Sequence, residues 1–210
     1  MSTASLPRGL YAITPDWTDT DRLLTAVEQV LAAGAVVLQY RNKLADAGLR
    51  LQQAQALQAR CRHHHVPLII NDHLELALAI DADGLHLGGD DGELAAARRA
   101  LGPQRLLGAS CYNQLALAQS AQAAGASYVA FGAAYVSATK PLAVQAPLAL
   151  YQAACAQLAC PVVAIGGITP FNAGPLLAAG VPSLAVIGGL YEGGQPAERA
   201  AAYTALFEHS

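Results

Sequence analysis

The sequence predicts an α/β protein, a single (β/α)8 TIM barrel spanning residues 1–210, and three observations carry that prediction. Short, β-branched apolar runs recur along the chain, longer Ala- and Leu-rich segments at helical spacing separate them, and eight alternations leave no surplus element. A period that switches between strand and helix in this way asks for parallel strands joined by crossover helices. Equal numbers of the two elements close as a barrel more naturally than they form an open doubly wound sheet, which is the competing arrangement.

Taken in order, the first strand is GLYAIT (9–14), followed by a helix over 20–33, and the second is VVLQYR (36–41), followed by a helix over 46–62. LIIND (68–72) and GLHL (84–87) are strands three and four, with helices over 73–81 and 92–101. LLGASC (106–111) and YVAFG (128–132) are strands five and six, with helices over 113–124 and 147–158. VVAIGG (162–167) and SLAVIGG (183–189) complete the set, with helices over 170–179 and 196–207. Turns of Ala-Gly-Ala type at Gly34, Gly125 and Gly180 stand just before strands, where a glycine ends a helix in the left-handed conformation. The one long irregular stretch, 133–146, follows the sixth strand and is a candidate lid.

Composition narrows the function classes. Of 210 residues, 54% are hydrophobic and 13% charged, which excludes a disordered chain and requires a large core. Every apolar run is interrupted before the roughly 18 residues a membrane span needs, and the start lacks a signal-peptide pattern, so a cytoplasmic protein is expected. A net charge of −3 and a pI near 6.0 argue against a nucleic-acid partner. Small molecules are therefore the expected partners, with no membrane partner, and a homo-oligomer stays open. Cys61, Cys111, Cys155 and Cys160 form no CxxC pair and are read as free thiols. His63, His64 and His65 suit a solvated helix end better than a metal site, because neighbours on a terminal turn diverge.

In a barrel the chemistry collects at the C-terminal ends of the strands. Strand two ends Gln39-Tyr40-Arg41-Asn42-Lys43, and alternation turns Gln39, Arg41 and Lys43 to one side, a row suited to an anion or to solvated ion pairs. Asn71-Asp72 and Asp90-Asp91 bring carboxylates to neighbouring strand ends, and Asp72 with Asp91 is the pair assigned to Mg2+; Asp72 could instead cap the helix that follows. His86, inside GLHL, reads as a packed barrel histidine. Ser110 ends strand five, and Ser137, Thr139 and Lys140 lie on the long loop, where a lysine among hydroxyls is consistent with phosphate contact. Ile165-Gly166-Gly167-Ile168 and Val186-Ile187-Gly188-Gly189 supply glycines after strands seven and eight, the usual phosphate-binding arrangement of barrel enzymes, with tight turns as the structural alternative. A phosphate site on one side and a cationic, two-Asp site on the other imply two phosphorylated ligands, one of them a metal-bound diphosphate.

QYRNK, IINDHLELALAIDADGLHLGGDD, GASCYN, the TK after FG, and VAIGGIT together resemble the thiamine phosphate synthase family, in unbroken order from about residue 9 to 190. The resemblance implies a transferase of thiamine biosynthesis that condenses 4-amino-2-methyl-5-(diphosphooxymethyl)pyrimidine with a thiazole phosphate, giving thiamine phosphate and pyrophosphate. It further implies pyrimidine diphosphate contacts from the Gln39–Lys43 segment, Asn71, Ser110 and Lys140, with Arg41, Lys43, Ser110 and Lys140 carrying catalysis. Mg2+ would be held by Asp72 and Asp91, and the thiazole phosphate by Ser137, Thr139, Gly167, Ile187 and Gly188. Two positions depart from the family pattern: Val136 stands where proline is common, and Gly188 where serine is usual, which removes a hydroxyl from the phosphate site. A thiazole tautomerase of the same superfamily, and a barrel that binds thiamine precursors without turnover, are the alternatives. Retention of Arg41, Lys43, Asn71, Asp72, Asp91, Thr139 and Lys140 favours the synthase.

Overall fold

The computed structural model describes residues 5–88, 94–136 and 144–208. Eight parallel strands run β1 (Gly9–Ile13), β2 (Val37–Tyr40), β3 (Leu68–Asn71), β4 (Gly84–Leu87), β5 (Leu106–Ser110), β6 (Tyr128–Phe131), β7 (Val162–Ile165) and β8 (Ser183–Val186). Each pairs with the next, and β8 returns to β1, closing the barrel in sequence order. The helices between them are α1 (Thr20–Ala32), α2 (Ala47–His63), α3 (Leu74–Ala79), α4 (Leu94–Leu101), α5 (Leu115–Ala123), α6 (Leu148–Gln157) and α7 (Gly174–Ala178). After β8 come a short helix, α8 (Gly188–Tyr191), and α9 (Pro196–Thr204). All eight strands and eight long helical segments expected from the periodicity are present. The four-residue α8 is an addition that no helical spacing in GGLY announces.

Local chemistry explains the boundaries. The Asp19 carboxylate accepts the Arg22 amide at 3.0 Å and the Asp46 carboxylate accepts the Leu49 amide at 2.8 Å, satisfying N–H groups that the first turns of α1 and α2 leave without partners. On α1 the buried residues are Leu23, Ala26, Val27, Val30 and Leu31, a stripe at helical spacing that faces the strands. Gly34, Gly125 and Gly180 have φ of +94°, +95° and +90°, the left-handed helix ends expected of the Ala-Gly turns. The histidine run closes α2, yet it is not simply solvated, because His64 Nε2 lies 2.6 Å from the Glu28 carboxylate.

Strand alternation divides the core in two. One set of side chains, including Leu10, Leu38, Ile70, Leu85, Leu107, Val129 and Leu184, packs outward under the helices. The other, including Tyr11, Ile13, Val37, Ile69, Leu106, Tyr128 and Val163, fills the barrel interior. Each fully buried aliphatic side chain contributes about 1.5–3 kcal/mol, so the outer layer carries most of the stability. The interior layer is polar in part, holding Tyr11, Gln39, His86 and Tyr128 buried together. Among the described residues, no helix is long and apolar enough to cross a membrane.

Candidate active site

A cavity of about 1620 Å³ opens at the C-terminal ends of the strands. Single-ligand pockets are typically about 300–1,000 Å³, so the space suits two substrates at once. The side chains of Gln39, Arg41 and Lys43 line it together, as the alternation along β2 requires. The same alternation turns Tyr40 and Asn42 away: Tyr40 donates to Gln53 Oε1 at 2.9 Å, and Asn42 Nδ2 donates to the Trp17 carbonyl and to Gln53 Oε1. These two candidate contacts therefore hold the strand end against α2 and the loop after β1.

Arg41 is preset by a residue with no motif to mark it. Its guanidinium contacts both oxygens of Asp16 at 2.9–3.0 Å, and Asp16 Oδ1 also accepts the Lys43 amide at 2.8 Å. Asp16, in the loop after β1, thus fixes the direction of the cationic row, and both partners are sheltered enough for the pair to be worth more than a surface bridge. Asn71 and Asp72 line the same wall, with Asn71 Nδ2 donating to Asp72 Oδ2 at 2.6 Å. Asp72 has φ +64°, and the residue preceding α3 is His73, so Asp72 is not the helix cap that its position allowed. Its carboxylate is an oxygen donor at the cavity wall beside a cationic row, which is what a divalent ion shared with substrate phosphates needs. Among the described residues no group of three His, Cys, Asp or Glu converges on one point, so beside Asp72 an ion here would draw on substrate oxygens and water. Asp91, Ser137, Thr139 and Lys140 lie outside the described residues.

The floor is a chain of hydrogen bonds. Gln39 Nε2 donates to the Tyr11 hydroxyl at 2.8 Å, the Tyr11 and Tyr128 hydroxyls meet at 2.7 Å, Tyr128 lies 3.0 Å from His86 Nδ1, and His86 Nε2 lies 2.9 Å from Ser110 Oγ. Burial pushes the His86 pKa down to about 4, so the ring is neutral at physiological pH, and burial raises the tyrosine hydroxyls so that they stay protonated. His86 is a packed barrel histidine, as expected, but one bonded to a candidate substrate contact. Cys111 is buried and pushed up to about 12 by desolvation, which leaves it a protonated bystander rather than a nucleophile.

The opposite wall is built of backbone. Gly167 has φ +63°, and a Cβ there would lie 2.6 Å from the Tyr135 carbonyl oxygen and 2.7 Å from that of Val136, so only glycine lets the loop after β6 close over the end of β7. Asn172 Nδ2 donates to the Gly167 carbonyl at 3.0 Å, holding that turn from the far side. Ile187 and Gly188 lead into α8, whose first amides have no acceptor within the helix. A Cβ on Gly188 would meet the Glu192 carboxylate at 2.5 Å, so this acidic side chain occupies the space a serine side chain would take.

A closed eight-strand barrel with converging polar residues at its C-terminal mouth defines a (β/α)8-barrel enzyme of the α/β class. The model of the thiamine monophosphate synthase family matches residues 10–190, and the chain belongs to that family. It is 55% identical over 201 residues to the thiamine-phosphate synthase of Aromatoleum aromaticum, covering 96% of this chain and 97% of that one. It is 54% identical to that of Methylobacillus flagellatus, covering 99% of this chain and 100% of the relative. The thiamine phosphate pyrophosphorylase from Pyrococcus furiosus superposes with a TM-score of 0.86 at 28% identity, over 96% of each chain.

Proposed function

We propose that the protein condenses 4-amino-2-methyl-5-(diphosphooxymethyl)pyrimidine with a thiazole phosphate, releasing pyrophosphate and forming thiamine phosphate. The observation that carries this reading is one cavity with two unlike walls, lined on one side by Gln39, Arg41, Lys43, Asn71, Asp72 and Ser110 and on the other by Gly167, Ile187 and Gly188. A diphosphate suits the first wall, and a monophosphate held by main-chain amides suits the second.

In the reaction the bond between the pyrimidine methylene carbon and the diphosphate oxygen breaks, the electron pair leaves with pyrophosphate, and the thiazole nitrogen supplies the pair for the new C–N bond. Arg41 and Lys43, with Lys140 by resemblance, bind the departing charge, and Asp16 keeps Arg41 aimed at it without reorganisation. Gln39, Asn71 and Ser110 orient the pyrimidine, and the glycine wall brings the thiazole within reach. Asp72 and Asp91 would hold Mg2+, which when bound neutralises diphosphate charge. No side chain has to act as a nucleophile. The four thiols are unpaired, which fits the cytoplasm as the proposed setting.

The test is pyrophosphate release by the purified protein with both substrates and Mg2+. Release that requires the thiazole phosphate and drops by about 100-fold or more in Asp72→Ala is expected. A folded wild type that isomerises a thiazole carboxylate phosphate without releasing pyrophosphate would replace the synthase with the tautomerase.

A further inference from the structure

We propose that Tyr11, Tyr128 and His86 are positioning residues that form a one-way hydrogen-bond chain between Gln39 and Ser110, so that the cavity floor accepts a 4-aminopyrimidine and rejects its 4-oxo counterpart. This deepens the substrate reading above and rests on it.

The direction of the chain follows from proton counting. Gln39 Nε2 donates to the Tyr11 hydroxyl, so the single Tyr11 proton is passed to Tyr128, 2.7 Å away. The single Tyr128 proton then goes to His86 Nδ1, and His86 carries its own proton on Nε2, from which it donates to Ser110 Oγ. Ser110 Oγ, already accepting from His86, lines the cavity with its own proton and a second lone pair, so it can donate or accept there. Gln39 is left with its amide oxygen as the acceptor, and no described residue donates to that oxygen. A ring with an exocyclic amino group supplies the donor that this oxygen needs. A 4-oxo ring sets a carbonyl oxygen against it instead. Because every link shares a proton with the next, Gln39 cannot turn its amide to offer a donor instead without reversing the links behind it, each of them buried or partly buried.

The barrel reserves space for this chain. His86 on β4 and Tyr128 on β6 stand in register with the same residue of the strand between them, Gly108. A Cβ on Gly108 would lie 2.1 Å from Tyr128 Cζ and 2.5 Å from His86 Nδ1. Any side chain there would occupy the space of the hydrogen bond itself, so the absence of one lets two side chains bond across an intervening strand.

The experiment measures binding of 4-amino- and 4-oxo-pyrimidine methyl diphosphates by calorimetry to wild type, Tyr128→Phe and Tyr11→Phe. Wild type should prefer the amino ring by about 100-fold or more, the scale set by unpaired buried polar groups. Tyr128→Phe should reduce that preference by about 10-fold or more, with affinity for the thiazole phosphate unchanged, a pattern that general loosening would not produce. Tyr11→Phe cuts the chain one link earlier and should move the preference in the same direction, which keeps the test open if Tyr128→Phe fails to fold. Equal binding of the two rings by wild type, or an unchanged preference in a folded variant, overturns the relay. Pyrophosphate release is scored separately: release with an unchanged preference in the variants removes the relay and keeps the reaction, while a lost preference without wild-type release keeps the relay and removes the reaction.

Discussion

The two walls of the mouth solve the same problem, holding phosphate oxygens, with different materials. On the β2–β5 side, charge and hydrogen bonds come from side chains whose directions are set by other side chains, as Asp16 sets Arg41 and His86 sets Ser110. On the β7–β8 side, the groups are main-chain amides whose directions are set by glycine conformation and close backbone approach. The first wall is therefore sensitive to losing atoms and the second to gaining them.

The largest effect that would sharpen this contrast is expected on the side-chain wall. Arg41→Met should lower kcat/KM for pyrophosphate formation by about 10²–10³-fold, because a preset cation aimed at the leaving group is lost, and should lower stability by only about 1–2 kcal/mol as Asp16 loses its partner. Comparable activity in the variant would break the contrast at its strongest point. The floor beneath that wall should make stability depend on pH. The pKa of His86 falls from its ordinary 6.5 to about 4 in the folded state, so the unfolded chain binds more protons between those values. Stability is then at full value above pH 6.5, falls as the pH drops below it, and loses about 3 kcal/mol from this group once the pH is below about 4. Chemical denaturation of wild type and His86→Gln at a series of pH values checks this, since the variant should flatten that part of the profile.

Predictions for the glycine wall are smaller and opposite in kind. Gly167→Ala adds a methyl group where φ is +63° and two carbonyl oxygens lie within 2.7 Å. It should cost about 1–3 kcal/mol of stability and raise KM for the thiazole phosphate while leaving that for the pyrimidine diphosphate unchanged, which steady-state kinetics would show. Gly188→Ser returns the hydroxyl that the family usually carries and must displace the Glu192 side chain, whose carboxylate is flexible enough to move. The expected gain is a KM for thiazole phosphate lower by about 2–10-fold, the net worth of one hydrogen bond. A rise in KM would mean that Glu192 is held in place and belongs to the site.

The walls also differ in how far their sequence discloses them. All eight strands and the residues at their C-terminal ends follow from local periodicity, which is why Gln39, Arg41, Lys43, Asn71 and Ser110 could be placed at one mouth before any coordinates. The alternation that joins Gln39 to Arg41 also separates Tyr40 and Asn42 from them, so a motif read as five consecutive residues overstates the contact set. Asp16 escaped notice because its partner is 25 residues away and nothing local marks it. The floor chain escaped because Tyr11 and Tyr128 are 117 residues apart, and only barrel closure in the observed register brings them together. Helix α8 has no sequence signal at all: its four residues owe their conformation to the end of β8 rather than to propensity.

The polar floor has a consequence for how the molecule opens. Its five members come from β2, β1, β6, β4 and β5, so a hydroxyl, an imidazole or an amide on one strand is satisfied only while the others stay closed. Detaching any of these strands strands a buried donor or acceptor at about 1–3 kcal/mol each, on top of the lost backbone ladder. The amides of these strands should consequently exchange with solvent deuterium together, through one shared opening, whereas β7 and β8, which contribute nothing to the chain, are left to open on their own.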